Sequence, residues 1–459
     1  MKRNFLLLLL AAMLFTMNSC NYNENQLSVN TTDAGKEEIV DGKIPLSRAI
    51  SNADFIFRNT EGFGAKARKV KSVDVLTTSN TKSVVANTRS GIGDEEQPVA
   101  YVVNYDNNEG FAILAADTKL PPVIGIGDEG NFNTQGFIDF VRNKTTRTSS
   151  NEINPAQEVQ YAIVNNSLLL PPGTIEPGPT DCVDTTIVLK CLPLVRTKWG
   201  QDNPYNRYAP PYQDLFYIGT SAAGCVPVAG AQVIASLCYH HNWRPTTQLS
   251  EEYIVDWEAL SRMIFNGIIS FEPNTYSSDA TNVAKLIRAV GKDVNAVYNK
   301  ETKAYTISLS STFQTLGISS TRYGSKNSEI PITESDIFNM INYKNFPVNA
   351  QAYHYVGDEQ EGGSDYVGHA FVLDGWLRLE YSQVKVNATT DGASITNTQR
   401  NFDLVHVNFG WDGRCDGYYI PEAFDLNADE YREYAEPEDQ EYATEKVYDL
   451  NVTYLIYEM

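Results

Sequence analysis

Between residues 171 and 180 the chain reads Pro171-Pro172-Gly173-Thr174-Ile175-Glu176-Pro177-Gly178-Pro179-Thr180, a run that sustains neither helix nor sheet. Each proline fixes φ and removes a backbone N–H, and the two glycines add conformational freedom without a side chain to pack. This stretch is the best linker in the sequence. It divides the 459 residues into a smaller N-terminal unit and a larger C-terminal unit that begins near Asp181. The total length is enough for two or three domains with proper cores.

The first twenty residues have the layout of an export signal. Lys2 and Arg3 precede an apolar run from Phe5 to Phe15, too short for a comfortable membrane span. The run closes on Met17-Asn18-Ser19-Cys20 and is followed by polar Asn21 to Asn25. A cysteine at that point resembles a bacterial lipoprotein signal. Residues 1–20 are then a signal peptide, Cys20 is lipidated and holds the mature chain at a membrane, and residues 21–42 form a tether. Met17 departs from the usual lipobox pattern, and an ordinary cleaved signal is the alternative. The expected location is the bacterial cell envelope, or outside the cell after processing.

Charge excludes some classes of partner. The formal net charge is −21, with 57 acidic against 36 basic residues. Sequence-independent nucleic-acid binding rests on Lys and Arg against phosphate, so no nucleic-acid partner is expected. The same balance argues against a polybasic membrane patch. The acidic stretch Glu422 to Glu445 reads as a solvated loop. An aromatic content of 11% with 27 tyrosines argues against disorder.

Residues 43–180 read as a small α+β domain plus linker. An amphipathic helical pattern runs through Leu46, Ala49, Ile50, Ala53 and Ile56. Strand-like runs follow at 69–76, 99–103, 110–115 and 120–126, with turn-forming Asn104 to Glu109 predicting a hairpin. Helical pattern resumes around Phe137 and from Pro155 to about Val164. Residues 181–459 open with helical stretches at 226–241 and 282–290. They end in alternating runs at 348–353, 369–376, 404–409 and 452–457. Helices first and antiparallel strands later is an α+β pattern.

The chemistry starts at Gly224-Cys225-Val226-Pro227. A proline in the first helical turn is tolerated because N–H groups there lack intrahelical partners, so Cys225 sits at a helix N-terminus. The partial positive charge there favours thiolate over thiol, and the Cys225 N–H faces a developing oxyanion. Five histidines are available as the base. His240 and His241 lie a helix length away, roughly 20 Å. His354 follows a strand in an acidic region, and His406 opens His406-Val407-Asn408-Phe409-Gly410-Trp411. His369, in Gly368-His369-Ala370-Phe371-Val372-Leu373-Asp374-Gly375, follows Cys225 by 144 residues, a spacing that suits a Cys–His protease. Asn408 is expected to orient its imidazole and Trp411 to shield the pair from water. Gln201, in Trp199-Gly200-Gln201-Asp202-Asn203-Pro204-Tyr205-Asn206, is expected to donate to the oxyanion. No Cys-x-x-Cys or His-Glu-x-x-His motif is present, so neither metal nor organic cofactor is expected.

These blocks together resemble the streptopain family of cysteine peptidases, over most of residues 190 to 425. Asp256-Trp257 and Ala289 to Lys292 agree more weakly. Upstream, Tyr101 to Asp117 and Pro121 to Gly130 resemble the family's inhibitory propeptide domain. The resemblance implies a papain-like cysteine protease fold preceded by a small α+β propeptide domain. It implies an endopeptidase zymogen that cleaves protein or peptide substrates through an acyl-enzyme, with its own propeptide as intramolecular inhibitor. Two departures stand out. Phe409 replaces a usual tryptophan, and the Ser/Gly-rich substrate loop is here Asn299-Lys300-Glu301-Thr302-Lys303-Ala304-Tyr305. A decayed protease fold serving as a surface binding protein, or a Cys–His acyl transferase, are the alternatives.

Maturation is expected by cleavage between about Arg147 and Lys198, with Lys190-Cys191 one candidate bond. Cys182, Cys191, Cys238 and Cys415 remain for disulfides, with three pairings possible. A short Cys182–Cys191 loop is among them, and Cys238 also reads as a buried thiol.

Overall fold

A computed structural model describes residues 42–60, 68–78, 97–118, 120–142, 154–168, 180–213, 218–299, 302–324, 332–355, 366–389, 392–424 and 451–458. Cys20 with its signal and tether, the linker at 171–179 and most of the acidic stretch lie outside these residues. Among the described residues no helix is long and apolar enough to cross a membrane.

The N-terminal unit contributes α1 (Leu46–Asn59), β1 (Val70–Thr77), β2 (Pro98–Tyr105), β3 (Phe111–Ala115), β4 (Val123–Gly127), α2 (Thr134–Arg142) and α3 (Pro155–Leu168). β2 and β3 form the expected antiparallel hairpin, closed by a one-turn helix at Asp106–Asn108. α1 buries Ala49, Ala53, Ile56 and Phe57, the apolar stripe of its sequence. α3 behaves differently, being buried along almost its whole length. It packs against the N-terminal sheet and against strands of the C-terminal unit.

The C-terminal unit follows as β5 (Thr180–Cys191), β6 (Pro211–Gln213), β7 (Ile218–Thr220), α4 (Cys225–His240), α5 (Trp257–Phe265), α6 (Ser278–Asp293), α7 (Leu309–Thr315) and β8 (Ser319–Gly324). It closes with α8 (Glu334–Asn342), β9 (Val348–Tyr355), β10 (Tyr366–Thr389), β11 (Gly392–Asn408), β12 (Gly417–Tyr419) and β13 (Asn451–Glu458). α4 is buried from Val226 to Cys238, mostly apolar residues with Gln232 and Ser236 among them. It lies between α5 and α6 on one side and the β9–β10 part of the sheet on the other. Close approach depends on small residues, since a Cβ on Gly230 would come within 2.5 Å of Leu309.

One eleven-stranded sheet runs through both units. Its order is β1-β2-β3-β4-β12-β11-β10-β9-β13-β8, with β5 pairing the distal half of β10. β10 pairs antiparallel with β9 from Tyr366 to Leu373, then with β5 from Trp376 to Lys385, and with β11 along its other edge. This corrects two expectations. Cys182 and Cys191 both lie on β5, where nine residues of extended chain separate them by roughly 30 Å, so they cannot bridge each other. The Lys190-Cys191 bond is held in the same strand, opposite Leu377 and Trp376, and is a poor substrate for maturation.

The two units meet main chain to main chain. β4 pairs with β12 through Gly125↔Tyr419, Ile126↔Tyr418 and Gly127↔Gly417. Glycines make the approach possible, because a Cβ on Gly417 would lie 2.4 Å from the Ile126 carbonyl. Gln160 of α3 donates to the Tyr419 hydroxyl at 2.8 Å, which itself donates to the Cys415 carbonyl at 2.6 Å. Lys198 bonds Glu129 at 2.7 Å and Asp128 at 3.4 Å across the same seam.

Gly125 offers a test of the seam. A Cβ there would sit 3.1 Å from the buried Tyr419 ring, and valine adds two methyls in the same direction. Gly125→Val should weaken docking of the N-terminal unit by about 1–3 kcal/mol. In a Cys225→Ala background, an added protease should then separate the units faster. An unchanged rate would show that the seam yields without cost.

Candidate active site

Cys225 is the first residue of α4, and Gly224 before it has φ +94°, a conformation that glycine adopts without strain. The loop leading to it is bonded at each step. Ser221 N–H donates to the Pro210 carbonyl at 3.0 Å, Asn206 Nδ2 to the Ser221 carbonyl at 3.1 Å, and Thr302 Oγ1 to the Ala222 carbonyl at 2.6 Å. Ala223 N–H donates to the Gln201 carbonyl at 2.8 Å, which sets the Gln201 loop beside the turn that carries the cysteine.

His369 lies on β10 and is buried, with 1% of its surface exposed. Its Nε2 bonds the Phe409 carbonyl at 2.7 Å. A carbonyl only accepts, so Nε2 carries the proton and Nδ1 is the basic nitrogen. The next residue along β10 faces the cysteine, because the Ala370 N–H lies near enough to the Cys225 sulfur to lower its pKa. The start of α4 thus lies against β10 at the residue that follows His369.

Burial dominates the electrostatics. It pushes the Cys225 thiol above its ordinary value, opposed by the N–H groups of Ala370, Val226 and Cys225. It pushes His369 down to about 4, opposed by the bond to Phe409. For the imidazole this is about 3 kcal/mol in favour of the neutral form. A helix N-terminus typically gives an anion about 1 kcal/mol or less. The thiolate expected from the helix N-terminus is therefore not favoured in this closed form, where thiol and imidazole are both neutral.

His240, His241 and His406 are engaged elsewhere. His240 Nε2 donates to the Leu194 carbonyl at 2.8 Å, and His241 Nε2 bonds the Asn345 carbonyl at 3.0 Å. His406 Nδ1 bonds Asp374 Oδ1 at 2.6 Å, and the second oxygen of that carboxylate accepts the Val195 N–H at 2.8 Å. Burial works against the charge on His406, but Asp374 and Asp416 raise its pKa, so it forms a structural ion pair. His354 lies on β9 opposite Val367.

One expectation about the surroundings of His369 is corrected. Asn408 does not orient the imidazole with its side chain. Its Oδ1 accepts from Gln232 at 2.8 Å and from the Gly410 N–H at 3.0 Å, while its Nδ2 donates to the Thr197 carbonyl at 3.0 Å. The main-chain carbonyl of the next residue makes the bond instead. The ring beside His369 is Phe409, stacked at 6.2 Å and 26°, whereas half-buried Trp411 has the Arg414 guanidinium 5.2 Å from its ring. Asp416, not singled out in the sequence, accepts the Phe409 N–H at 2.7 Å. Burial raises its carboxyl to about 7, against the lowering effect of His406. Among the described residues no group of three or more His, Cys, Asp or Glu is disposed to hold a metal ion.

Comparison with known proteins places the chain in a family. Residues 199–419 match the Peptidase C10 family, and residues 59–149 match the Spi protease inhibitor family. The chain is a streptopain-like member of the peptidase C10 family. Streptopain of Streptococcus pyogenes is 25% identical over 362 residues, covering 72% of this chain and 75% of the relative. The serotype M28 form is 24% identical over 356 residues. A solved fragment of prointerpain A from Prevotella intermedia overlaps with a TM-score of 0.42 at 19% identity, covering 79% of this chain and 96% of that one. The chain is α+β, with a C10 peptidase unit behind an N-terminal inhibitor-type unit, and is a cysteine protease zymogen.

The neutral imidazole makes acid stability a direct readout. His369 and His240, both held near 4, add stability that is fully present above about 6.5 and is lost as pH falls towards 4. Asp416, raised to about 7, has the opposite slope over that range and offsets one of the two protons. The urea midpoint of the full Cys225→Ala chain should therefore fall between pH 6.5 and 4.5, and adding His369→Ala should flatten that fall. An equally steep fall without His369 would show that its imidazole is not buried neutral.

Proposed function

We propose that this chain is the exported zymogen of a cysteine endopeptidase in which Cys225 is the nucleophile and His369 the base and proton donor. The observation that carries the reading is the bond from His369 Nε2 to the Phe409 carbonyl. It leaves Nδ1 as the proton acceptor while the sulfur rests against the adjoining Ala370 N–H.

In the reaction, the thiol proton passes to Nδ1 and the sulfur forms a bond to the peptide carbonyl carbon. The carbonyl oxygen takes up negative charge facing the Cys225 N–H and the Gln201 side-chain amide. Collapse breaks the C–N bond, and the imidazolium gives its proton to the leaving amine. Water, deprotonated by Nδ1, then releases the acyl group and restores the thiol. No step needs a metal or organic cofactor.

Residues 43–180 act in this reading as the intramolecular inhibitor, and residues 181–459 as the catalytic domain. Because β5 is part of the C-terminal sheet from Thr180 onward, cleavage before Thr180 releases the inhibitor and leaves that sheet whole. The N-terminal signal and a lipid on Cys20 place the precursor in the cell envelope.

The test pairs the chain lacking its signal with its Cys225→Ala variant, under reducing conditions, followed by gel and casein hydrolysis. Wild type should shorten and digest casein, while the variant stays intact and inert. If the two behave alike even after the N-terminal unit is clipped off by a protease that is then removed, Cys225 is not a nucleophile and a binding role takes its place.

A further inference from the structure

Gln232 lies two turns along α4 from Cys225 and has no exposed surface. Both ends of its amide are bonded. Oε1 accepts from Thr197 Oγ1 at 3.1 Å and from the Trp199 N–H at 3.2 Å. Nε2 donates to Asn408 Oδ1 at 2.8 Å, and that oxygen also accepts the Gly410 N–H at 3.0 Å. The partners fix the direction of both amides. Turning Gln232 over would set two donors against each other at Trp199, and turning Asn408 over would do so at Gly410.

The Gly410 N–H and the Phe409 carbonyl belong to one peptide unit, and a peptide unit is planar. Holding the N–H therefore aims the carbonyl, and the carbonyl aims His369. Gly410 has φ +64°, and a Cβ on it would come 3.1 Å from Val228 and 3.7 Å from Gln232 Nε2, so this peptide rests directly on α4. At its other end Gln232 holds Trp199, two residues before Gln201. The Trp199 carbonyl in turn accepts the Asp412 N–H at 3.2 Å.

We propose that Gln232 is a positioning residue for the protease reaction, one buried amide that ties the nucleophile's helix to the peptide aiming the base and to the segment bearing Gln201. The proposal rests on the assignment of Cys225 and His369 above. It differs from a role in core stability alone, which would cost melting temperature and leave the chemistry of folded molecules unchanged.

The test uses the full chain, with each variant processed identically by an added protease that is then removed. Gln232→Met should lower kcat on a peptide substrate about 10- to 100-fold with KM nearly constant, as expected for a misaimed base. The pH profile of Cys225 alkylation by iodoacetamide should shift to higher pH. Gln232→Glu keeps the acceptor for Thr197 and Trp199 but loses the donor to Asn408, and should show the same shift. Asn408→Ala should reproduce the loss. The double variant Gln232→Met/Asn408→Ala should be no worse than about twofold beyond the weaker single, because both act through one peptide.

A kcat within twofold of wild type, an unmoved alkylation profile or fully additive losses would each overturn the proposal. If Gln232→Met does not fold, Thr197→Val deletes a single bond to Oε1 and should still lower kcat by about threefold at constant KM. No change there overturns the proposal equally. Wild type hydrolysing peptide in a Cys225-dependent way beside unaffected Gln232 variants would refute this inference alone. Wild type without such hydrolysis would remove the protease reading, and the positioning role with it.

Discussion

A reactive pair inside a packed core needs every polar neighbour hydrogen-bonded, since an unpaired buried group costs about 1–3 kcal/mol. In this chain that requirement converges on the peptide between Phe409 and Gly410. Its carbonyl takes the His369 proton and its N–H is taken by Asn408. One residue earlier, the Phe409 N–H is taken by Asp416. The imidazole is thus held by main chain that is itself held on both sides. Gly410 is needed at the centre because the backbone turns with positive φ against Val228.

The same constraint explains how two units behave as one body. β4 extends the C-terminal sheet through β12, and β12 follows directly on Asp416. Backbone pairing is indifferent to side-chain identity, so the seam relies on glycine for close approach and on a few polar contacts for register. Lys198 is among the latter. Burial opposes its charge, but Asp128 and Glu129 keep its pKa raised. Around half-buried Cys225 and buried His369, burial favours the neutral thiol and the neutral imidazole. A thiolate–imidazolium pair is disfavoured wherever water is excluded and no counter-charge replaces it.

Much of the fold was legible because local pattern and tertiary burial agreed. The stripe of α1 and the turn residues of the β2–β3 hairpin each reported the structure they occupy. Legibility failed where burial was uniform or absent. α3 was legible as a helix from Pro155, but its burial on nearly every face was not. β10 and β11 run together out to Thr389↔Gly392, well past the apolar segments around His369 and Leu404, and polar alternation gave no sign of that length. β5 carries both Cys182 and Cys191, and only its pairing with β10 reveals that a short spacing in sequence is extended chain in space.

The site shows a different limit. Cys225 and His369 were proposed from the sequence because the proposed chemistry demands those side chains. Orientation of the imidazole makes no such demand, since any acceptor at the right distance will serve, and main-chain carbonyls occur at every residue. Asn408 drew attention as the polar side chain nearest in sequence to the needed position. The carbonyl of Phe409, whose side chain has no acceptor, does that work instead. Asn408 and Gln232 then carry a constraint that sequence cannot display: they act on the backbone that acts on the base. A role of that kind becomes visible only when the partners of each buried amide are traced to their end.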